Sequence, residues 1–85
     1  MNAFTVDWRP EAEQDLASIW ITASDPWAVT SAQNRIDYLL ERNPAHYGQH
    51  VSEGLYQLVS RPLTVFYKID TVGKLVAVTT VWYTP

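Results

Sequence analysis

Pro10 and Pro26 restrict the possible folds of this sequence strongly, because each stands where a helix would begin. Proline fits the first position of a helix, where its missing N–H has no hydrogen bond to lose. Asp25, just before the second proline, is a residue type that caps helices. The second helix should end at Asn43, because Pro44 disfavours helical geometry in the residue before it. The sequence therefore predicts two helices joined almost directly, which implies an antiparallel helical hairpin.

Both helical segments carry apolar residues at the spacing of a single helix face. In the first segment these residues are Ala12, Leu16, Ile19, Trp20 and Ala23. In the second segment, which runs to about residue 42, they are Val29, Ala32, Ile36, Leu39 and Leu40. We expect both stripes, including the indole of Trp20, to face the interior.

One β-type run precedes the helices and three follow them. The first is Phe4 to Trp8, and the later ones are Leu55 to Ser60, Leu63 to Asp70 and Leu75 to Tyr83. Pro44 to Glu53 has no periodicity and is predicted as a loop. The order β-α-α-β-β-β predicts an α+β fold, in which the helical hairpin packs on one face of a twisted antiparallel sheet. A length of 85 residues predicts a single domain, 1–85.

Composition and charge limit the possible classes of function. The chain has no cysteine, so disulfides and thiolate metal sites are excluded, which fits a reducing cytoplasm. We find no signal peptide and no run of the roughly 18 apolar residues that span a membrane, so we expect a cytoplasmic protein without a membrane partner. The net charge of −3 opposes binding that depends mainly on phosphate contacts. Residues 1–43 carry a net charge of −4 and residues 44–85 one of +1.

The run from Leu63 to Asp70 has two unlike faces. Side chains alternate along a strand, so one face holds Leu63, Val65, Tyr67 and Ile69, and the other holds Thr64, Phe66, Lys68 and Asp70. The first face suits packing against the helices. The second face, with an aromatic ring and a cation, is the candidate for a binding surface.

This order of elements, with "VDWRPEAEQDLASIW" at its front, resembles the RelE/ParE superfamily of toxins from bacterial toxin–antitoxin pairs. The likeness spans nearly the whole chain, and its specificity comes from the order and separation of the motifs. The matching residues are Trp8, Pro10, Ala12, Asp15, Leu16 and Ile19 at the front, Pro44 and Gly48 after the second helix, and Gly54, Leu55, Leu58, Val65, Tyr67, Ile69 and Val81 in the strands. The resemblance implies a RelE/ParE-like fold, a cognate antitoxin as partner, and no cofactor.

The resemblance also implies one of two targets. RelE-like relatives cut messenger RNA in the ribosomal A site, whereas ParE-like relatives poison DNA gyrase. RNA cleavage suits a basic site, because arginine and lysine stabilise the charge that the scissile phosphate gains while other groups move protons. This sequence has Tyr56, Gln57, Thr64 and Thr80 where relatives often have arginine.

Arg61, Lys68 and Tyr83 are the candidate catalytic residues if the protein is a metal-independent ribonuclease. The two cations would contact phosphate, and the phenol would move a proton if a cation lowered its pKa. A plainer interpretation stays open for each: Lys68 as a solvated lysine, Arg61 as a turn residue paired with Glu53 or Asp70, and Tyr83 as a packing residue.

Candidate partner-binding residues are Thr64, Phe66, Lys68 and Trp82. His46 and His50 are four residues apart in a predicted loop, without an evident third ligand, so we predict no metal site.

Three functional hypotheses follow from these residues. The first is a ParE-like toxin that acts by protein–protein contact, which tolerates the acidic net charge. The second is a RelE-like ribosome-dependent ribonuclease that works with a reduced basic set. The third is a member of the superfamily that has lost toxicity and serves as a binding or regulatory module. All three share the expectation of a cognate antitoxin.

Overall fold

Eight elements of secondary structure follow one another in the computed structural model, which describes residues 3–85. They are β1 (Thr5–Trp8), α1 (Pro10–Thr22), α2 (Pro26–Arg42), α3 (Pro44–Tyr47), β2 (Gln49–Ser52), β3 (Leu55–Ser60), β4 (Leu63–Asp70) and β5 (Leu75–Tyr83). The two predicted helices and the last three predicted strands are confirmed. Within residues 3–85, no helix has both the length and the apolar character needed to cross a membrane.

Both long helices begin at the predicted prolines. Pro10 is the first residue of α1, and Pro26 is the first residue of α2. The Asp25 carboxylate accepts a hydrogen bond from the Ala28 N–H at 3.3 Å, so the predicted cap is confirmed. Asn43 ends α2, and its side-chain oxygen then caps α3. These local contacts explain why the helices begin and end where the sequence indicates.

The sheet has five strands in the order β1-β5-β4-β3-β2. The predicted α+β fold with a helical hairpin on one face is confirmed, but the sheet is mixed. β1 pairs in parallel with β5, with Thr5 opposite Leu75 and Trp8 opposite Val78, whereas the other pairings are antiparallel. The helical hairpin connects β1, at one edge of the sheet, to α3 and β2 at the other edge. The antiparallel strands β2 to β5 then lead back across the sheet, so β5 lies beside β1 and runs in the same direction.

The segment from Pro44 to Glu53, predicted as a loop, instead forms α3 and β2. β2 pairs with β3, with Gln49 opposite Gln57 and His50 opposite Tyr56. All residues of β2 are exposed. An edge strand with neither face buried has no alternation of apolar and polar residues, so this strand left no signal in the sequence.

The core lies between the helical hairpin and one face of the sheet. Leu63, Val65 and Tyr67 of β4 are fully buried there, as are Ile36 and Leu40 of α2. Burying an aliphatic or aromatic side chain of this size stabilises a fold by roughly 1.5–3 kcal/mol. The predicted inward faces of β4 and α2 are thus confirmed.

Trp20, which the sequence placed in the interior, is 48% exposed. In α1, Ala12 is fully buried, and Leu16 and Ile19 pack against the core. Trp20 lies about 100° further round the helix than Ile19. Its indole therefore lines a surface cleft with Trp8 and Thr30 instead of joining the core, and the prediction for this residue is wrong.

The phenol of Tyr67 connects the core to the chain around α3. Its hydroxyl donates to the Pro44 carbonyl oxygen at 2.7 Å. Burial raises the pKa of Tyr67 well above its ordinary value, and neighbouring Tyr56 raises it further. Gly48 lies so close that a Cβ there would overlap the Tyr67 hydroxyl. Tyr67 is therefore a neutral hydrogen-bond donor with no free space beside it.

Candidate functional site

The side of the sheet opposite the helices forms an uncovered surface, which we call the open face. Side chains of cross-strand partners share a face, and alternate residues along a strand return to it. Thr64 lies between Val59 and Trp82, and Phe66 lies between Gln57 and Thr80. The open face includes Asp7, Gln57, Val59, Thr64, Phe66, Lys68, Asp70, Ala77, Thr80 and Trp82.

An aromatic pair lies at the centre of the open face. The rings of Phe66 and Trp82 meet edge to face, with centroids 4.6 Å apart and planes at 65°. Trp82 is 58% exposed, and Val59 on the neighbouring strand is 49% exposed. Exposed tryptophan with adjacent apolar surface is typical of the residues that contribute most to protein–protein affinity. The positions of Phe66 and Trp82 suit the partner-binding role predicted for them.

Thr64, also predicted to contact a partner, is instead buried, with only 6% of its surface exposed. Its hydroxyl hydrogen-bonds the hydroxyl of Thr84 at 2.8 Å. The residue lies on the predicted face, but the chain after β5 covers it, since the Thr84 N–H donates to the Pro62 carbonyl oxygen. Thr64 is therefore covered by Thr84 and offers no surface for a partner, so the prediction for this residue is wrong.

The predicted catalytic residues do not form one cluster. Tyr83 is paired with Leu63, whose side chain is in the core, so its phenol lies on the helix side, beside Asp15 of α1. Lys68 lies on the open face, five residues further along β4 than Leu63. That spacing corresponds to about 17 Å along a strand. Tyr83 and Lys68 thus differ in both position and face, and a single phosphate cannot contact both.

Arg61 precedes β4 and contacts the end of the chain. Its Nη1 donates to the Pro85 backbone oxygen at 2.9 Å. Arg61 does not form the ion pair with Glu53 or Asp70 that was considered from the sequence. Among residues 3–85, the ion pair is the one between Arg9 and Asp7. The Asp70 carboxylate instead accepts from backbone N–H groups of the following turn. Arg61 is therefore at the rim of the open face, at the end opposite Lys68.

Lys68 is an exposed ammonium without a carboxylate within salt-bridge distance in the described chain. It neighbours Ala77 on β5, and Asp7 and Asp70 lie on the same face of the sheet. One cation can attract a phosphate or an acidic partner side chain. Transition-state stabilisation of an RNA cleavage ordinarily needs several preorganised groups aimed at the developing charge. The open face therefore has the chemistry of a docking surface more than of a nuclease centre.

Asp15 has a structural role that the sequence did not reveal. Its carboxylate accepts from the Val81 N–H at 3.1 Å and so links α1 to β5. This donor is available because β1 pairs with β5 only as far as Val78. From the sequence, Asp15 was identified only as one of the residues that carry the resemblance. The missed signal is its helical spacing with buried Ala12 and with Ile19, which places it toward the sheet.

The two histidines lie in different elements and face aromatic rings. His46 meets Tyr47 edge to face at a centroid distance of 5.1 Å, and His50 meets Tyr56 at 5.3 Å. No group of three potential metal-ligating side chains occurs within residues 3–85.

Solved structures match this fold, although no family model matches the sequence and no curated protein matches it significantly. A chain of the toxin–antitoxin complex RelBE2 from Mycobacterium tuberculosis gives a TM-score of 0.81 and 20% identity, over 98% of this chain and 93% of that one. A chain of the chromosomal ParDE TA system from P. aeruginosa gives 0.68 and 18%, over 100% of both chains. The isolated E. coli RelE toxin gives 0.68 and 14%, over 98% of this chain and 86% of that one.

The chain therefore has the fold of RelE and ParE proteins, as the sequence resemblance implied. RelE and ParE proteins share this fold, so the fold alone does not assign an activity to the chain.

Proposed function

We propose that this chain, which has the RelE/ParE fold, is the toxin of a type II toxin–antitoxin system and acts by protein–protein contact, as ParE-like toxins do on DNA gyrase. The observation that carries the proposal is the open face, where exposed Trp82 packs on Phe66 and their cross-strand neighbours Gln57, Thr64 and Thr80 are uncharged. A protein target needs apolar anchors and tolerates a net charge of −3. Binding of RNA would need a basic surface.

The proposed partners are a cognate antitoxin, which neutralises the toxin, and gyrase in the cytoplasm. Two features support the antitoxin. Structures of toxin–antitoxin complexes are among those with this fold. The chain also leaves large apolar side chains exposed, including Trp82, Trp20 and Trp27, that a partner would cover.

RNA cleavage, the second candidate, is favoured by one observation, the unpaired ammonium of Lys68. A ribonuclease of this kind would depend on Lys68 together with catalytic groups supplied by the substrate or the ribosome, because Arg61 and Tyr83 do not lie beside Lys68. Replacing Lys68 with alanine would then lower the cleavage rate at least about tenfold.

Controlled expression in a bacterial host, with and without the antitoxin, tests the proposal. We expect growth arrest that the antitoxin reverses, inhibited supercoiling by purified gyrase, and intact messenger RNA. Trp82→Ala should abolish gyrase inhibition, whereas the matched change Val72→Ala, in a turn residue that is 95% exposed, should not. Messenger RNA cut at ribosome-bound codons would replace the gyrase proposal with ribonuclease activity. Normal growth would leave the third hypothesis, a binding module.

A further inference from the structure

A continuous stripe of exposed side chains runs along the outer side of α2. The residues that α2 buries, Val29, Ala32, Ile36 and Leu40, face the core. Counted from Trp27, the positions 4, 7, 8, 11 and 15 residues further on share the other side of the helix, and all of them are exposed. We call this surface the α2 stripe, and its residues are Trp27, Ser31, Asn34, Arg35, Tyr38 and Arg42.

The α2 stripe has the composition of a protein-binding surface. Trp27 is 78% exposed and Tyr38 is 54% exposed. Trp27 belongs neither to the core cluster nor to the apolar side chains that pack against it, so folding does not account for its size. Tryptophan, tyrosine and arginine are the residue types that contribute most to affinity at protein interfaces. The α2 stripe presents all three along one helix.

The two arginines of the α2 stripe have no carboxylate within salt-bridge distance among residues 3–85. Arg35 has neither aspartate nor glutamate three or four residues away on the helix. The Arg42 guanidinium is stacked on Tyr38, with its Cζ 3.5 Å from the ring centroid, and its Nη1 donates to the Tyr38 carbonyl oxygen at 3.0 Å. These two contacts hold the guanidinium in one orientation and leave its other N–H groups available to a carboxylate.

The two acidic residues of α2 lie on a different flank of the helix. The Asp37 carboxylate accepts from the Trp8 indole N–H of β1 at 2.7 Å. Glu41 follows one turn later on the same flank and acts on the charge of Asp37. The α2 stripe itself therefore carries only positive charge, although residues 1–43 have a net charge of −4. A partner segment with negative charge would complement it.

Two other occupants fit the α2 stripe less well. In a two-fold contact between two copies of this chain, residues near the middle of α2 would meet their own counterparts. Arg35 lies next to the middle of Pro26–Arg42, so two like charges would meet there. A nucleic acid would find two arginines on a chain with a net charge of −3, which opposes binding through phosphate contacts.

We propose that the α2 stripe binds an acidic helix of a second protein, whose carboxylates contact Arg35 and Arg42 and whose apolar side chains cover Trp27. This inference goes beyond the proposed toxin function, because the α2 stripe belongs to the helical layer and the open face lies on the other side of the sheet. It therefore does not depend on which target the open face contacts.

The spacing of the arginines favours a helix over an extended segment. Arg35 and Arg42 are seven residues apart, which corresponds to about 10.5 Å along a helix axis. Carboxylates seven residues apart on a partner helix share one face and have the same spacing. On an extended strand, side chains of one face recur about every 7 Å, so none matches this separation.

Two matched peptides test the spacing. The probe is a helix-stapled, dye-labelled peptide as long as the 17 residues of α2, with two glutamates seven residues apart and leucines on the same face. The control peptide has the same composition and charge, but its glutamates are five residues apart and so lie on different faces. Binding to the full-length protein is followed by fluorescence anisotropy. We expect the probe to bind at least about fivefold more tightly at low salt, with a smaller difference at high salt.

Variants of exposed residues locate the probe. Arg35→Gln and Arg42→Gln should each weaken its binding at least about threefold, because each removes one contact with a carboxylate. Trp27→Ser should weaken it at least about fivefold, because it removes the apolar contact. Arg61→Gln removes the same charge at the rim of the open face and should leave binding unchanged.

A change in the probe identifies the individual pairs. Replacing one of its two glutamates with glutamine should abolish the effect of one arginine variant and preserve that of the other, because each carboxylate contacts a single guanidinium.

Equal affinity for the two peptides, no binding of the probe, or unchanged binding by both arginine variants would each overturn the inference. Sedimentation equilibrium that shows a dimer broken by Trp27→Ser would also overturn it, because a second copy would then occupy the α2 stripe. A labelled oligothymidine that binds more tightly than the probe, and more weakly to Arg35→Gln than to the wild type, would overturn it in favour of a nucleic acid.

Discussion

Replacing Gly48 with alanine should destabilise the fold through lack of space alone. A Cβ at this position would overlap the Tyr67 hydroxyl, lie 2.7 Å from the ring carbon Cζ and lie 3.1 Å from the Gln57 carbonyl oxygen. The backbone of Gly48 has φ of −89° and ψ of 170°, a conformation open to any residue. The added methyl group therefore costs nothing in backbone strain, and its effect comes from crowding, mainly against the buried tyrosine.

The magnitude follows from what Tyr67 must give up. To make room, its hydroxyl must leave the Pro44 carbonyl oxygen, now 2.7 Å away, and a buried polar group left unpaired costs about 1–3 kcal/mol. Forcing the fully buried ring into a packed core adds about 1–3 kcal/mol. A loss of about 3 kcal/mol is a large part of the stability of so small a domain. It corresponds to a fall in Tm of about 12–24 °C.

Thermal unfolding followed by circular dichroism measures this loss, and Gly54→Ala is its matched control. Gly54 has φ of 74° and no atom within 4 Å of a Cβ, so alanine there meets strain without a clash. We expect Gly54→Ala to cost about 1 kcal/mol. Adding Tyr67→Phe to Gly48→Ala removes the overlapping oxygen, so the double variant should lose at least about 1 kcal/mol less than the two single losses combined.

Two results would contradict the clash predicted between residue 48 and Tyr67. One is a Gly48→Ala variant with the same Tm as Gly54→Ala. The other is additive losses in the double variant, which would show that the methyl group and the Tyr67 hydroxyl do not compete for space.

Three further predictions concern polar contacts of the hairpin. Asp15→Ala should cost about 1–3 kcal/mol in urea unfolding, because the Val81 N–H loses its acceptor. Asp37→Asn should raise Tm at pH 7. Burial, more than the charge of Glu41, raises the pKa of Asp37 above its ordinary value of 3.8 despite the Trp8 hydrogen bond. The folded state thus binds the proton of the Asp37 carboxyl group more tightly than the unfolded state does. The stability of the wild type therefore falls as pH rises from about 4 through the raised pKa of Asp37. Below pH 4 the advantage of asparagine should vanish. Asp25→Ala should cost about 1 kcal/mol in thermal unfolding, since α2 loses its cap.

Each of these predictions has its own control. Glu11→Ala, in the exposed first turn of α1, should be nearly neutral; a loss equal to that of Asp15→Ala would contradict the role given to the Val81 contact. A pH-independent gain from Asp37→Asn would show that ionisation is not its cause. Asp25→Ser retains a capping oxygen and should restore most of the loss from Asp25→Ala.

Only part of the candidate site could be predicted from the sequence. Alternation in β4 correctly assigned Phe66 and Lys68 to the open face, because every second side chain of a strand shares a face. Tyr83 was grouped with Lys68 as a candidate catalytic residue, but the two side chains lie on opposite faces of the sheet. β5 carries an extra residue, Thr79, opposite the step from Phe66 to Tyr67, and this bulge exchanges the two faces for the rest of the strand. A one-residue bulge leaves no compositional mark.

Features that depend on near neighbours could be predicted from the sequence. The helix starts at Pro10 and Pro26, the cap at Asp25 and the inward face of β4 each depend on residues a few positions apart. Three features became evident only in the folded chain: β1 runs parallel to β5, β2 completes the sheet, and Thr64 is covered. Contacts between residues far apart in the chain settle these features, because pairing and burial depend on which surfaces meet and not on local conformational preference.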